Sequence, residues 1–169
     1  LFPILKEMGH WDDQRESNLL DGHAHFYDTY MCADNKYIAI GSIEPQFYKE
    51  LLDKLEIDDQ RFLDQYNKDL WPELKNLIAS KVILKTRSEW EDIFSGTDAC
   101  VTPVLNMTEA QQNIHNLKRN AFTDVDGFNQ PSASPRYSVT KPEIKHNAKQ
   151  VGSDFDEVCN EFGLSKAAF

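Results

Sequence analysis

The sequence predicts an α+β fold, and three observations carry that expectation. An aromatic and β-branched hairpin pattern lies near residues 26–40, apolar residues recur at helical spacing from Pro45 to Val82, and a second β-branched run follows at 99–105. Within 169 residues there is room for one medium domain or two small pieces, at roughly 100–200 residues per domain. That length is too short for a full (β/α)8 barrel.

Residues 1–17 set Leu1, Ile4, Leu5, Met8 and Trp11 among charges until Gly9-His10 breaks the helical pattern, so a helix end and a loop are expected. Phe26, Tyr27, Thr29, Tyr30 and Met31 form one arm of a hairpin, Ala33-Asp34-Asn35 its turn and Tyr37-Ile38-Ala39-Ile40 the other arm. Pro45 suits the first turn of a helix, in which Phe47, Leu51 and Leu55, with Tyr48 and Leu52 beside them, make a core-facing stripe. Two further helices are expected over 58–66 and 71–84, the second burying Leu74, Leu77, Ile78 and Val82. Thr86-Arg87-Ser88-Glu89 has the form of a capping box and launches a short helix that stops at Gly96. Ala99 to Leu105 reads as a strand whose Pro103 confines it to an edge or a bend. Asn106, with Glu109 three residues on, opens another helix, whereas the proline-bearing stretch 123–143 reads as an extended connection. The last helix is expected from Ser153 to Phe162, with acidic residues in its first turn and Gly163 beyond. The centre, 33–105, is thus a compact small domain of hairpin, helices and return strand, and the flanking arms look less self-sufficient.

Eighteen basic residues against 28 acidic ones give a net charge of −10, which repels nucleic acid and anionic membrane surfaces. Cys32, Cys100 and Cys159 are odd in number, far apart and without a C-x-x-C pair, so a reducing, intracellular setting is expected. No apolar run approaches the ~20 residues of a membrane span, and the charged residues that follow Leu1-Phe2-Pro3-Ile4-Leu5 are unlike a signal peptide. Because the first residue is leucine, the chain is expected to begin inside a longer natural protein.

Two constellations bear on chemistry. His23 and His25 in Asp21-Gly22-His23-Ala24-His25 would share one face of a strand, a workable metal-ligand spacing. A metal hydrolase would need further ligands, and His10, His115 and His146 are scattered, so the favoured reading is two partly exposed imidazoles and no metal. Glu44 follows a strand and precedes a proline-started helix, where a turn between rigid elements can aim its carboxylate. A carboxylate favoured by the helix dipole is the more ordinary reading of such a residue. Cys100, between Ala99 and Val101, reads as a small buried hydrophobe, and the Asn106-Met107-Thr108 sequon as idle.

The stretches Asn18-Leu19-Leu20-Asp21-Gly22-His23-Ala24-His25-Phe26-Tyr27, Ile43-Glu44-Pro45-Gln46-Phe47-Tyr48 and Gly96-Thr97-Asp98-Ala99-Cys100-Val101-Thr102-Pro103-Val104-Leu105 are specific. Together with His115-Asn116, Arg119, Phe122, Ser134-Pro135-Arg136 and Glu161-Phe162-Gly163-Leu164-Ser165, in that order, they resemble the later half of the α-methylacyl-CoA racemases, within the family III CoA-transferase group. The resemblance implies epimerisation of 2-methyl-branched acyl-CoA thioesters through an enolate-like intermediate, without metal or cofactor. The proton-transferring histidine and aspartate of such enzymes match positions upstream of this chain. Glu44 matches the glutamate that orients that histidine, and is the catalytic-site candidate. Leu20 and Tyr27 match acyl-pocket positions with Ile43 beside them. The implied architecture is an interlocked homodimer in which residues 1–32 link the domains, 33–105 form the small domain and 106–169 return to a Rossmann-like large domain.

The chain departs from this family at Gly22-His23-Ala24-His25, where Gly-Gly-Ala-Pro is usual, which adds two titratable rings near Tyr27. Tyr137-Ser138-Val139 replaces the Pro-Ala-Pro stretch, and Gly152-Ser153-Asp154-Phe155 replaces Gly-Glu-His-Thr. CoA transfer on the same fold, through an upstream carboxylate nucleophile, and a non-catalytic CoA-ester-binding or assembly protein are the alternatives. Family members occur in peroxisome, mitochondrion or cytoplasm, and Ala167-Ala168-Phe169 is not a peroxisomal signal.

Overall fold

A computed structural model describes residues 1–165, and the Ala167-Ala168-Phe169 stretch lies outside the described residues. Alternation of aromatic and β-branched residues with polar ones produces the hairpin of β1 (Tyr27–Met31) and β2 (Tyr37–Gly41), antiparallel with Tyr27 opposite Gly41 and Met31 opposite Tyr37. Asn35 turns the chain at φ 59°, a left-handed conformation that asparagine tolerates. On the other side of β2 runs β3 (Val101–Val104), antiparallel, giving the order β1-β2-β3. Pro103 therefore sits on an edge strand, where a missing N–H does little harm.

One face of this sheet carries Tyr30, Ile38 and Ile40 into the core. Against it pack α2 (Pro45–Lys54), α3 (Trp71–Val82) and α4 (Arg87–Phe94). The stripe of α2 is centred on Tyr48, Leu51 and the capping Leu55 rather than on the half-buried Phe47. Trp71, Leu74, Ile78 and Val82 are buried along α3 at the spacing of one helical face. Both halves of the Thr86–Glu89 capping box form, and Trp90, buried on α4, donates its indole N–H to Val82 O at 2.8 Å. The helix expected over 58–66 is only a 3-10 turn, Gln60–Leu63. Asp59 accepts from the Arg61 amide, and Phe62 is the turn's one buried residue, so local side-chain bonding wins where too little apolar surface is on offer. Helix α1 (Phe2–Glu7) ends, as the sequence implies, near Gly9, and buries none of its residues.

The chain divides into two compact units, Leu1–Val104 and a second beginning at Leu105. The second opens with α5 (Met107–Gln112), started by the Asn106–Glu109 capping box, and α6 (Ile114–Lys118), capped by the Asn113 side chain. Where an extended connection was expected, β4 (Phe122–Val125) and β5 (Phe128–Pro131) form a second hairpin. Its turn is Asp126-Gly127 with φ 54° and 82°, a pair suited to the twist of a tight hairpin. The last helix, α7 (Phe155–Phe162), starts two residues later than expected and ends at Gly163 in the left-handed conformation. Cys159 on α7 is the one buried residue among those described in this unit. No helix among the described residues is long and apolar enough to cross a membrane.

Candidate active-site wall

Glu44 stands at the end of the short turn between β2 and α2. It is the N-cap residue, with φ −73° and ψ 141°, yet its exposed side chain makes no capping hydrogen bond. The helix dipole accounts for an anion at this place without consuming the carboxylate. The turn behind it is fixed by a dense set of bonds. Gly41 N–H donates to Cys100 O at 2.9 Å and Ser42 N–H to Phe26 O at 3.0 Å. Ser42 Oγ donates to Ala99 O at 2.5 Å. Gln65 Nε2 donates to both Ser42 O and Ile43 O, at 3.1 and 3.0 Å, and Tyr66 Oη also donates to Ile43 O at 2.8 Å. Ile43 itself is half-buried against the core.

Beside this turn the sheet and the 20–22 loop form an open groove of about 410 Å³, lined among others by Leu20, Tyr27, Asp28, Gly41, Cys100 and Thr102. Such a volume suits a small ligand or part of a larger one. Leu20 and Tyr27 are therefore brought together, whereas Ile43 and Glu44 lie outside the lining. The loop wall is held by Asp21, whose carboxylate accepts from the Asn18 backbone at 2.8 Å, from Asn18 Nδ2 at 2.7 Å and from Ser17 N at 3.3 Å. Against a desolvation that would raise it, these bonds hold the Asp21 carboxyl below its usual value. Lys75 on α3 donates to Gly22 O at 2.5 Å and ion-pairs with Asp28, tying loop and strand to the helix.

Two expectations fail here. His23 and His25 precede β1 and lie outside any strand, and His25 is fully buried rather than partly exposed. Its ring packs edge-on to Phe26, Tyr48 and Phe62 at 5.1–5.5 Å, and its Nε2 shares a 2.6 Å hydrogen bond with Tyr48 Oη. Desolvation lowers its pKa to about 4, so at neutral pH the ring is uncharged, and its Nδ1 has no partner. His23 instead stands edge-on to Trp71 at 5.3 Å. The ligand pair that the metal-hydrolase alternative needs is therefore not formed, because His25 is closed in the core while His23 stands against Trp71; among the described residues no group of three or more His, Cys, Asp and Glu is gathered to hold a metal ion.

Cys100 is exposed, not buried. Its φ of 54° turns the side chain out while Ala99 takes the core position. Partial desolvation, then the charges of Glu44 and Asp98, raise its thiol above the ordinary value. Gln65, Ser42, Tyr66 and Lys75 were not singled out from the sequence; their roles come from contacts to residues at least 22 positions away, which no local pattern records.

The sequence profile of CoA-transferase family III matches residues 4–155. The chain belongs to that family. It is 42% identical over 162 residues to "Alpha-methylacyl-CoA racemase" of Mus musculus, covering 94% of this chain and 42% of that protein. The racemase of the same name from Homo sapiens is 40% identical over 159 residues, covering 92% of this chain and 41% of that protein. The chain thus spans about two fifths of the length of these curated relatives. Among solved structures, the crystal structure of Rv3272 from M. tuberculosis superposes with a TM-score of 0.64 over 78% of this chain and 38% of that one, at 17% identity, a likeness of fold alone.

Proposed function

We propose that this chain is the C-terminal portion of an α-methylacyl-CoA racemase, which inverts the carbon beside the thioester of 2-methyl-branched acyl-CoA. The observation that carries this reading is the identity of 40–42% to two racemases across nearly the whole chain. In the proposed reaction one acid–base group removes the α-proton from one face and another delivers a proton to the opposite face of the enolate-like intermediate. No redox step or cofactor is required by that proton balance. The pair, a histidine and an aspartate, lies upstream of this chain. Glu44 hydrogen-bonds the histidine, selecting its tautomer and holding the ring, as a carboxylate does in a catalytic triad. An exposed carboxylate on a braced turn, free of capping duty, supports that role. Leu20 and Tyr27 receive the branched acyl chain, with Ile43 stiffening the turn next to them.

In the same reading, residues 1–32 link the domains, 33–105 form the small domain and 106–169 return to the large domain of an interlocked homodimer. The test uses the full-length protein in heavy water with a single epimer of a 2-methylacyl-CoA. Deuterium enters the α-position and the second epimer appears; absence of both overturns the racemase reading.

CoA transfer is the second reading. It is favoured by 33% identity over 118 residues to "CaiB/baiF CoA-transferase family protein ZK892.4" of Caenorhabditis elegans. That chemistry passes through a covalent carboxylate intermediate, so trapping an enzyme-bound acyl or CoA thioester with hydroxylamine decides between the two.

A further inference from the structure

We infer that Gln65 is a positioning residue for Glu44, its side-chain amide clamping the turn that presents the carboxylate. The inference rests on the orienting role proposed for Glu44. Gln65 follows the 3-10 turn in a stretch of mostly exposed polar residues, yet it is only 7% exposed. Both hydrogens of its Nε2 are spent on consecutive carbonyls, Ser42 O and Ile43 O. Those carbonyls fall after the last residue of β2 and before the N-cap of α2, where neither the sheet ladder nor the helix supplies a donor. Holding two successive carbonyls fixes two successive peptide planes, and with them the direction in which the Glu44 side chain leaves the backbone.

The clamp is itself anchored. Gln65 O accepts from the indole N–H of Trp71 at 2.8 Å, and Trp71 is 1% exposed. Phe62, buried three residues earlier, pins the other side of the segment. Only a neutral primary amide offers two donors in one plane at this depth; a carboxylate would offer acceptors to acceptors, and an ammonium would bury a charge. Tyr66 Oη adds a third donor from a ring that is half exposed. Four residues from three separate segments, Phe26, Gln65, Tyr66 and Ala99, thus bond to Ser42 and Ile43 of the turn, and Cys100 O holds the Gly41 amide just before it.

The experiment measures α-hydrogen exchange by the full-length protein carrying Gln65→Met, Tyr66→Phe, Glu44→Gln and the two double variants with Glu44→Gln. Gln65→Met keeps the volume and removes the donors. Its kcat should fall about ten- to a hundredfold with KM within about twofold, the penalty of a misaimed group rather than of lost binding. Tyr66→Phe, at the surface, should fall less, and it keeps the test open if Gln65→Met does not fold. In the Glu44→Gln background either change should cost under about twofold more, because the residue being aimed is already gone. Loss that multiplies independently of Glu44→Gln, or wild-type turnover in both single variants, overturns the clamp while leaving the role of Glu44 intact. Wild-type exchange in Glu44→Gln overturns the role of Glu44 and the clamp together.

Discussion

Acidification should destabilise the unit Leu1–Val104 through His25. The folded protein keeps this ring neutral until about pH 4, because it is closed among Phe26, Tyr48 and Phe62, whereas an unfolded chain protonates it near 6.5. Between those two values the unfolded state binds more protons, so stability is complete above pH 6.5 and is lost as the pH falls toward 4. At about 1.4 kcal/mol for each pH unit of the interval, the loss sums to about 3 kcal/mol, a large part of the 5–15 kcal/mol typical of a folded domain. The assay is an NMR titration of the His25 ring in the full-length protein, paired with urea unfolding of wild type and His25→Gln, which does not titrate. The ring signals should stay at neutral positions down to about pH 5. The advantage of wild type over His25→Gln should shrink as the pH is lowered from 6.5 and be constant above it. Ring signals that move with a midpoint near 6.5, or urea midpoints that run parallel for the two proteins over that window, would refute the burial argument.

Tyr48→Phe strands His25 Nε2 in the core and should cost about 1–3 kcal/mol, read as a lower urea midpoint at pH 7. Thr86→Ala removes one half of the capping box on α4 and should cost about 1 kcal/mol by the same measurement, with Thr86→Ser restoring most of it. Of the three cysteines, Cys100 alone should react with a disulfide reagent in the native protein, more slowly than a free thiol at pH 8 and faster as the pH rises; Cys32 and Cys159 should react only on unfolding.

What could be read from the sequence was what short-range chemistry decides. The capping boxes at Thr86 and Asn106 need only four residues, and the first hairpin follows from alternation between Tyr27 and Ile40. The second hairpin also had a local signal, Asp126-Gly127, but the prolines at 131 and 135 and the polar run around them suggested an open connection instead. The region 58–66 had the length of a helix without an apolar face to hold one, because Phe62 is its turn's single buried residue. His25 and Cys100 were misread in opposite directions for one reason: burial is set by tertiary packing, so a polar ring can be walled in by distant aromatics and an apolar neighbourhood can leave a thiol outside. The turn bearing Glu44 was legible; its bracing by Gln65, more than twenty residues away, was not.

The bond from Ser42 Oγ to Ala99 O joins positions 57 residues apart, and the neighbouring Gly41 amide waits for Cys100. A chain made from its N-terminus has the Glu44 turn long before it has those partners. The helices between can form from contacts close in sequence, but the turn is completed only when the loop enclosing all of them closes, the slow and entropically costly kind of event in folding. The order of synthesis thus makes the wall of the proposed site a late product of folding, and any truncation before residue 99 would yield the hairpin and helices with that wall unfinished.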